Sequence, residues 1–106
     1  MRNITEVPEN WVILKIDGNE TYYRVFAGWR GGYTGSDSWK INSGIVSIES
    51  DEDYYYFIGH SGSCYKCHKR SYGNLSSWVS GVLNGIIKNS KIPIEILNKD
   101  YNFEEL

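Results

Sequence analysis

The sequence lacks any apolar run of the length that a membrane span needs. Its first residues, Met1–Pro8, also lack the apolar core of a secretory signal peptide. We therefore expect a cytoplasmic protein with no membrane partner, in which Cys64 and Cys67 are reduced. A chain of 106 residues is expected to form one domain, 1–106, with one modest core.

Acidic residues are missing from a long stretch: no Asp or Glu occurs between Tyr54 and Ile94, although the whole chain has a net charge of −2. The stretch contains the cations Lys66, Lys69, Arg70, Lys88 and Lys91. The rest of the chain is therefore net acidic, and this asymmetry indicates a candidate anion site within the acid-free stretch.

Alternation of apolar and polar residues predicts several strands. In the first, Val12, Leu14 and Ile16 share one face, which predicts a half-buried strand, and Asp17-Gly18-Asn19 predicts a hairpin after it. The predicted strands are Trp11–Asp17, Thr21–Trp29, Gly44–Ser50, Tyr54–His60 and Ser63–His68.

Residues Arg30–Asn42 are rich in glycine and small polar residues, which predicts a loop. This loop also carries Tyr33, Trp39 and Lys40. Long loops in small domains are often functional, which favours a functional role for this loop over a plain connection.

One helix is predicted from an apolar stripe at helical spacing, capped at its start by Asn74 or Ser71. The stripe consists of Leu75, Trp78, Val79, Val82, Leu83, Ile86 and Ile87. Ser77, Gly81 and Gly85 form a second stripe of small residues, and we expect either the protein's own sheet or a second chain to pack against it.

After the helix, Ile92–Leu97 alternates as a strand, and Pro93 places it at a sheet edge. The acidic tail Asn98–Leu106 is expected to be loosely held. The predicted fold class is α+β: an antiparallel β-meander of about five strands packed on one amphipathic helix, with a final edge strand.

The run Cys64-Tyr-Lys-Cys67-His68 matches the attachment pattern of c-type haem. Haem is disfavoured because the only methionine is Met1 and because residues three apart on a strand point to opposite faces. Zinc held by His60, Cys64, Cys67 and His68 is an alternative, but structural zinc prefers cysteines on a turn. We expect no metal and no cofactor, with one cysteine buried and the other partly exposed.

No hydrolase, transferase, phosphate-loop or dinucleotide motif is present, and no acid lies near Cys64, Cys67 and His60 to orient a catalytic pair. The sequence therefore predicts a protein that is not an enzyme. A long nucleic acid is a poor partner, because five clustered cations in a net negative chain would bind a polyanion weakly.

The cations, hydroxyls and aromatic residues around the acid-free stretch fit a small nucleotide-like anion better than they fit a long nucleic acid. Hydroxyls, cations and the start of the helix would hold phosphate, while Tyr65, Tyr72 or Trp39 would stack on a base. The candidate ligand-binding residues are Trp39, Lys40, Asn42, Ser61, Ser63, Tyr65, Lys69, Arg70, Tyr72 and Asn74.

Two runs, GGYTGSDSWKINSGI at 31–45 and YYYFIGHSGSCYKCHKRSYG at 54–73, together with the helix that follows, resemble a family of small phage- and prophage-encoded proteins. They look like the viral anti-Thoeris type. The resemblance implies a non-enzymatic sponge that sequesters a cyclic ADP-ribose signal, and a homo-oligomer with pockets at subunit contacts. It assigns no ligand contacts to individual residues, so the candidate site depends on the residues themselves.

Two other functions stay open at the level of sequence. One is a protein-binding inhibitor of a host factor, which would use the exposed Tyr and Trp side chains and the glycine-rich loop. The other is a small structural zinc module.

Overall fold

The computed structural model describes residues 3–31 and 35–106, which form seven strands and one α-helix. In chain order they are β1 (Asn10–Asp17), β2 (Thr21–Trp29), β3 (Ser38–Ile41), β4 (Ile45–Ser50), β5 (Tyr54–Gly59), β6 (Cys64–His68), α1 (Ser77–Asn89) and β7 (Ile94–Ile96). Two short 3-10 turns lie at Lys69–Ser71 and Phe103–Glu105. Tyr33, which belongs to the predicted loop, lies outside the described residues.

The strands form two antiparallel sheets, one in the order β3-β2-β1-β7 and the other in the order β4-β5-β6. This confirms the α+β class, the antiparallel pairing, the hairpin between β1 and β2, and the edge position of the last strand. The prediction of a single meander of about five strands was too simple, because the described chain divides seven strands between two sheets.

Strand β1 lies at the centre of three layers. Val12, Leu14 and Ile16 pack with α1 on one face of the first sheet. Trp11 and Ile13 pack against the second sheet on the other face. The prediction of a half-buried strand was therefore wrong for the first part of β1: strands covered on both faces read as continuous apolar runs.

Strand β3 falls inside the segment that the sequence predicted as a loop. It pairs with β2 in a register that sets Trp39 opposite Gly28 and Ile41 opposite Phe26. The Trp39 ring stacks on the Phe26 ring, with the centroids 5.6 Å apart and the planes 11° apart. Pairing with β2 and this stacking offset the low strand preference of the surrounding glycines.

Helix α1 begins later than predicted, because Ser76 is its N-cap in place of Asn74 or Ser71; the Ser76 hydroxyl accepts a hydrogen bond from the Val79 N–H. Val79 and Leu83 are buried as predicted, but Trp78 is 56% exposed and lies outside the packed face. No described helix is long and apolar enough to cross a membrane.

The second stripe of α1 does not pack on the protein's own sheet. A Cβ atom built at Gly81 or Gly85 meets no atom within 4 Å among the described residues. Both glycines have ordinary negative φ angles, since the residues with positive φ lie elsewhere. The stripe therefore lies on an open face of the helix beside Trp78.

The C-terminal segment is anchored, contrary to the expectation of a loosely held tail. Leu97 and Phe103 are 6% and 3% exposed and belong to the core between the two sheets. The Leu97 N–H donates to the Ile13 carbonyl at 2.9 Å. The residues between Leu97 and Phe103 are therefore held in a fixed position along one side of the molecule.

Candidate functional site

A cavity of about 510 Å³ lies between the turn that follows β6 and the anchored C-terminal segment. We call it the cationic cavity. It is lined by Tyr55, Lys69, Arg70, Tyr72, Asn74, Lys99, Asp100 and Phe103. Four of the ten candidate residues, Lys69, Arg70, Tyr72 and Asn74, come together here.

Among the described residues, three cations and one acid line this cavity, in a chain whose net charge is −2. Neither the Arg70 guanidinium nor the Lys99 ammonium has a hydrogen-bond or ion-pair partner among residues 3–31 and 35–106. The Lys69 ammonium donates to the Asp51 carbonyl at 2.6 Å and lies 4.9 Å from the centre of the Tyr55 ring. Two of the three cations are therefore available to an incoming anion.

Aromatic rings form the apolar part of the cavity. The Phe103 ring lies 5.0 Å from the Tyr72 ring and 5.8 Å from the Tyr55 ring, measured between centroids. Burial raises the pKa of Tyr72, and burial followed by the Glu104 carboxylate raises the pKa of Tyr55. Both tyrosines are neutral at pH 7, so they add no negative charge to a site for anions.

Local backbone geometry brings the cations to the cavity. The His68 Nδ1 accepts a hydrogen bond from the Arg70 N–H at 3.1 Å and so caps the short turn Lys69–Ser71. Gly73 and Asn74 then adopt positive φ angles of 78° and 52° and bend the chain towards α1. Arg30 donates to the Asn74 carbonyl at 2.8 Å and holds this bend in place.

Three other candidates, Asn42, Ser61 and Ser63, cluster at the opposite end of β6. The Ser43 hydroxyl accepts from the Ser61 N–H at 2.8 Å. The Asn42 side-chain oxygen accepts from the Val25 N–H at 2.9 Å, which gives this buried residue a structural task. Six residues of extended chain separate Ser63 from Lys69, about 20 Å, so this cluster does not join the cationic cavity.

The remaining candidates are engaged elsewhere. Tyr65 is 4% exposed within the core, so its ring is not available to stack on a ligand. Trp39 stacks on Phe26, and the Lys40 ammonium pairs with the Glu6 carboxylate at 2.8 Å. Neither residue lines the cationic cavity.

Both cysteines are buried, Cys64 at 3% and Cys67 at 0% exposure, so the expectation that one is partly exposed was wrong. Burial raises the pKa of the Cys67 thiol well above its ordinary value. In the part of the chain that the structure describes, no three His, Cys, Asp or Glu residues lie close enough to hold a metal ion. His60, Cys64, Cys67 and His68 are therefore not brought together as one set of ligands.

Sequence reasoning missed Lys99, Asp100, Tyr55 and Phe103 as residues of the cavity. Three of them belong to the tail that was expected to be loose. A signal was present: the apolar Leu97 and Phe103 flank the charged pair, and two buried anchors fix the segment between them.

Comparison of the chain with protein-family models, with curated proteins and with solved structures finds no match.

Proposed function

We propose that the protein binds and sequesters a small phosphorylated nucleotide of the cyclic ADP-ribose type without altering it. The observation that carries the proposal is the convergence of Lys69, Arg70 and Lys99 on one cavity with an aromatic wall. The guanidinium of an arginine can donate two hydrogen bonds to two oxygens of one phosphate. The ammonium of a lysine adds a positive charge at the end of a flexible side chain. The volume of about 510 Å³ is in the range of small-molecule sites.

The chemistry of the lining supports binding over catalysis. Among the described residues of the lining there is no cysteine, serine or histidine that could act as a nucleophile or base. The Tyr72 hydroxyl is occupied in hydrogen bonds with the Ile13 N–H and the Leu97 carbonyl. Among the described lining residues Asp100 is the only carboxylate, so no second carboxylate lies there to form an acid–base pair with it.

The resemblance of residues 31–45 and 54–73 to anti-Thoeris proteins of phages supplies the biological setting of this proposal. In that setting the protein acts in the cytoplasm of a host cell and removes a nucleotide signal of bacterial defence. A homo-oligomer remains part of the proposal.

Thermal unfolding with and without cyclic ADP-ribose isomers and ADP-ribose tests the proposal. A ligand that binds only the folded state adds about 2.7 kcal/mol at a hundredfold excess over Kd, which corresponds to a rise in Tm of about 10 °C or more. We expect the Arg70→Ala variant to lose most of this rise, because a hydrogen bond to a charged group contributes about 1.5–3 kcal/mol.

Lys88→Ala is the matched control, since it removes one exposed cation from the same acid-free stretch but outside the cavity. It should keep the full rise. Heating the complex should release the ligand intact, as shown by mass spectrometry. Equal loss in both variants, or recovery of a cleaved product, would refute the proposal.

A protein-binding inhibitor is the second candidate, and one observation favours it. Trp78 is 56% exposed beside the open face of Gly81 and Gly85, and exposed tryptophans are frequent anchors of protein interfaces. This candidate predicts no change in Tm with any nucleotide. The thermal unfolding series therefore separates the two functions.

A further inference from the structure

One carboxylate lies among the cations of the cationic cavity, and phosphate binding gives it no task. Asp100 lines the cavity together with Lys69, Arg70 and Lys99. Across the residues that the structure describes, the Asp100 carboxylate forms no hydrogen bond and no ion pair with any of these cations. It therefore does not neutralise a lysine or an arginine of the cavity, and its oxygens are available to a ligand.

The backbone holds Asp100 at this place. Leu97 and Phe103, on either side of it in the chain, are buried in the core between the two sheets. Between these anchors, the Asn98 side-chain oxygen accepts a hydrogen bond from the Asp100 N–H at 3.0 Å. The turn that results brings Lys99 and Asp100 to the same cavity, with opposite charges on adjacent residues.

A carboxylate and a cation bind different groups of a ligand. An ionised carboxylate accepts hydrogen bonds and donates none, so it repels phosphate oxygens and binds hydroxyl groups. The neighbouring hydroxyls of a sugar are such donors, and dinucleotide-binding proteins hold ribose hydroxyls with an acidic residue in this way. The cations have the opposite preference, for phosphate. Both kinds of group in one cavity fit a molecule that carries phosphates and free sugar hydroxyls close together.

Resting on the proposed function, we propose that Asp100 is the specificity-determining residue of the cationic cavity. Its carboxylate accepts hydrogen bonds from neighbouring sugar hydroxyls of the ligand, while Lys69, Arg70 and Lys99 hold the phosphates. A phosphate ion without a sugar meets the same negative charge and offers it no sugar hydroxyl. The cavity therefore selects sugar-bearing diphosphates and disfavours bare polyphosphate ions.

Calorimetric titration of the wild type and the Asp100→Asn variant with cyclic ADP-ribose and with inorganic pyrophosphate tests this inference. Asparagine has nearly the shape of aspartate but no negative charge. We expect the variant to bind cyclic ADP-ribose about fivefold or more weakly, because hydrogen bonds to a charged acceptor become bonds to a neutral one. It should bind pyrophosphate at least as tightly as the wild type does, because the repulsion is removed.

These different responses to the two ligands separate the role of Asp100 from two simpler effects. A defect in folding or in the shape of the cavity would weaken the binding of both ligands. The loss of one negative charge alone would strengthen the binding of both. Either of these results, or unchanged affinity for cyclic ADP-ribose, would overturn the role of Asp100 and leave the phosphate site standing.

Glu105→Gln is the matched control, because it removes one negative charge from an exposed position in the same C-terminal segment, outside the cavity. Its affinity for cyclic ADP-ribose should equal that of the wild type, and a loss as large as that of Asp100→Asn would overturn the inference. A wild type that binds neither ligand would overturn the proposed function together with the role of Asp100.

Discussion

At the scale of the residue, Tyr72 connects the core to the candidate site. Its hydroxyl accepts from the Ile13 N–H at 3.1 Å and donates to the Leu97 carbonyl at 2.7 Å. Its ring packs edge-on against Trp11, 4.8 Å between centroids, and beside Phe103. The hydroxyl therefore holds the C-terminal segment against β1 while one side of the ring lines the cationic cavity.

The Tyr72→Phe variant separates these two tasks. Phenylalanine keeps the ring but leaves the Ile13 N–H and the Leu97 carbonyl without this partner, which should lower the free energy of unfolding by about 1–3 kcal/mol. Urea unfolding measures the change. The control is Tyr54→Phe, because the Tyr54 hydroxyl has no hydrogen bond within the described ranges. A loss no larger than that of the control would contradict the structural task of the Tyr72 hydroxyl.

The candidate site shows which residues a sequence can predict. Lys69, Arg70, Tyr72 and Asn74 were predicted because they lie close together in one acid-free segment between a strand and a helix. Lys99 could not be predicted in the same way. It reaches the cavity only because distant anchors fix the C-terminal segment, and those contacts depend on the tertiary fold.

At the scale of the element, the two glycines Gly28 in β2 and Gly81 in α1 have opposite surroundings. A Cβ atom at Gly28 in β2 would lie 3.0 Å from Leu75 Cδ2 and 3.3 Å from Val79 Cγ1. Gly28 thus allows the start of α1 to approach the first sheet closely. Gly81 in α1 faces open space, so its missing side chain serves no contact among the described residues.

Alanine at these two positions should have opposite effects on stability. Gly81→Ala should raise the free energy of unfolding by about 0.5–1 kcal/mol, because alanine favours helix and meets no neighbour. Gly28→Ala should lower it by about 1 kcal/mol or more, because Leu75 and Val79 must move. Urea unfolding of both variants provides the test. Destabilisation by Gly81→Ala would contradict the open surroundings of this glycine.

The elements themselves could mostly be predicted, because the patterns that define them are local. The apolar residues of α1 recur at helical spacing, and Asp17-Gly18-Asn19 marks the hairpin before β2. Strand β3 and the division into two sheets could not be predicted, since they depend on pairing and burial across the chain. Trp78 has the spacing of a core residue, but the helix turns it outside the packed face.

At the scale of the whole molecule, the core between the two sheets encloses several groups that can lose a proton. Cys67 and Tyr65 lie in this core, and Tyr72 packs against it. Burial is the first cause of a raised pKa in all three. The Cys64 thiol and the Glu6 carboxylate add smaller effects on Cys67 and Tyr65 respectively. In the unfolded chain the three groups have ordinary pKa values. At alkaline pH they therefore lose their protons in the unfolded chain while they still keep them in the folded state.

This difference predicts a loss of stability at alkaline pH. The ordinary pKa values are 9.0 for cysteine and 10.0 for tyrosine, so the unfolded chain begins to bind fewer protons than the folded state as the pH passes about 9. The free energy of unfolding then falls by about 1.4 kcal/mol per pH unit for each group. Urea unfolding between pH 7 and 11 measures the profile. The Cys67→Ala variant should be less stable than the wild type at pH 7, but its free energy of unfolding should fall less steeply between pH 9 and 10. A wild-type free energy of unfolding that stays constant to pH 11 would contradict this prediction.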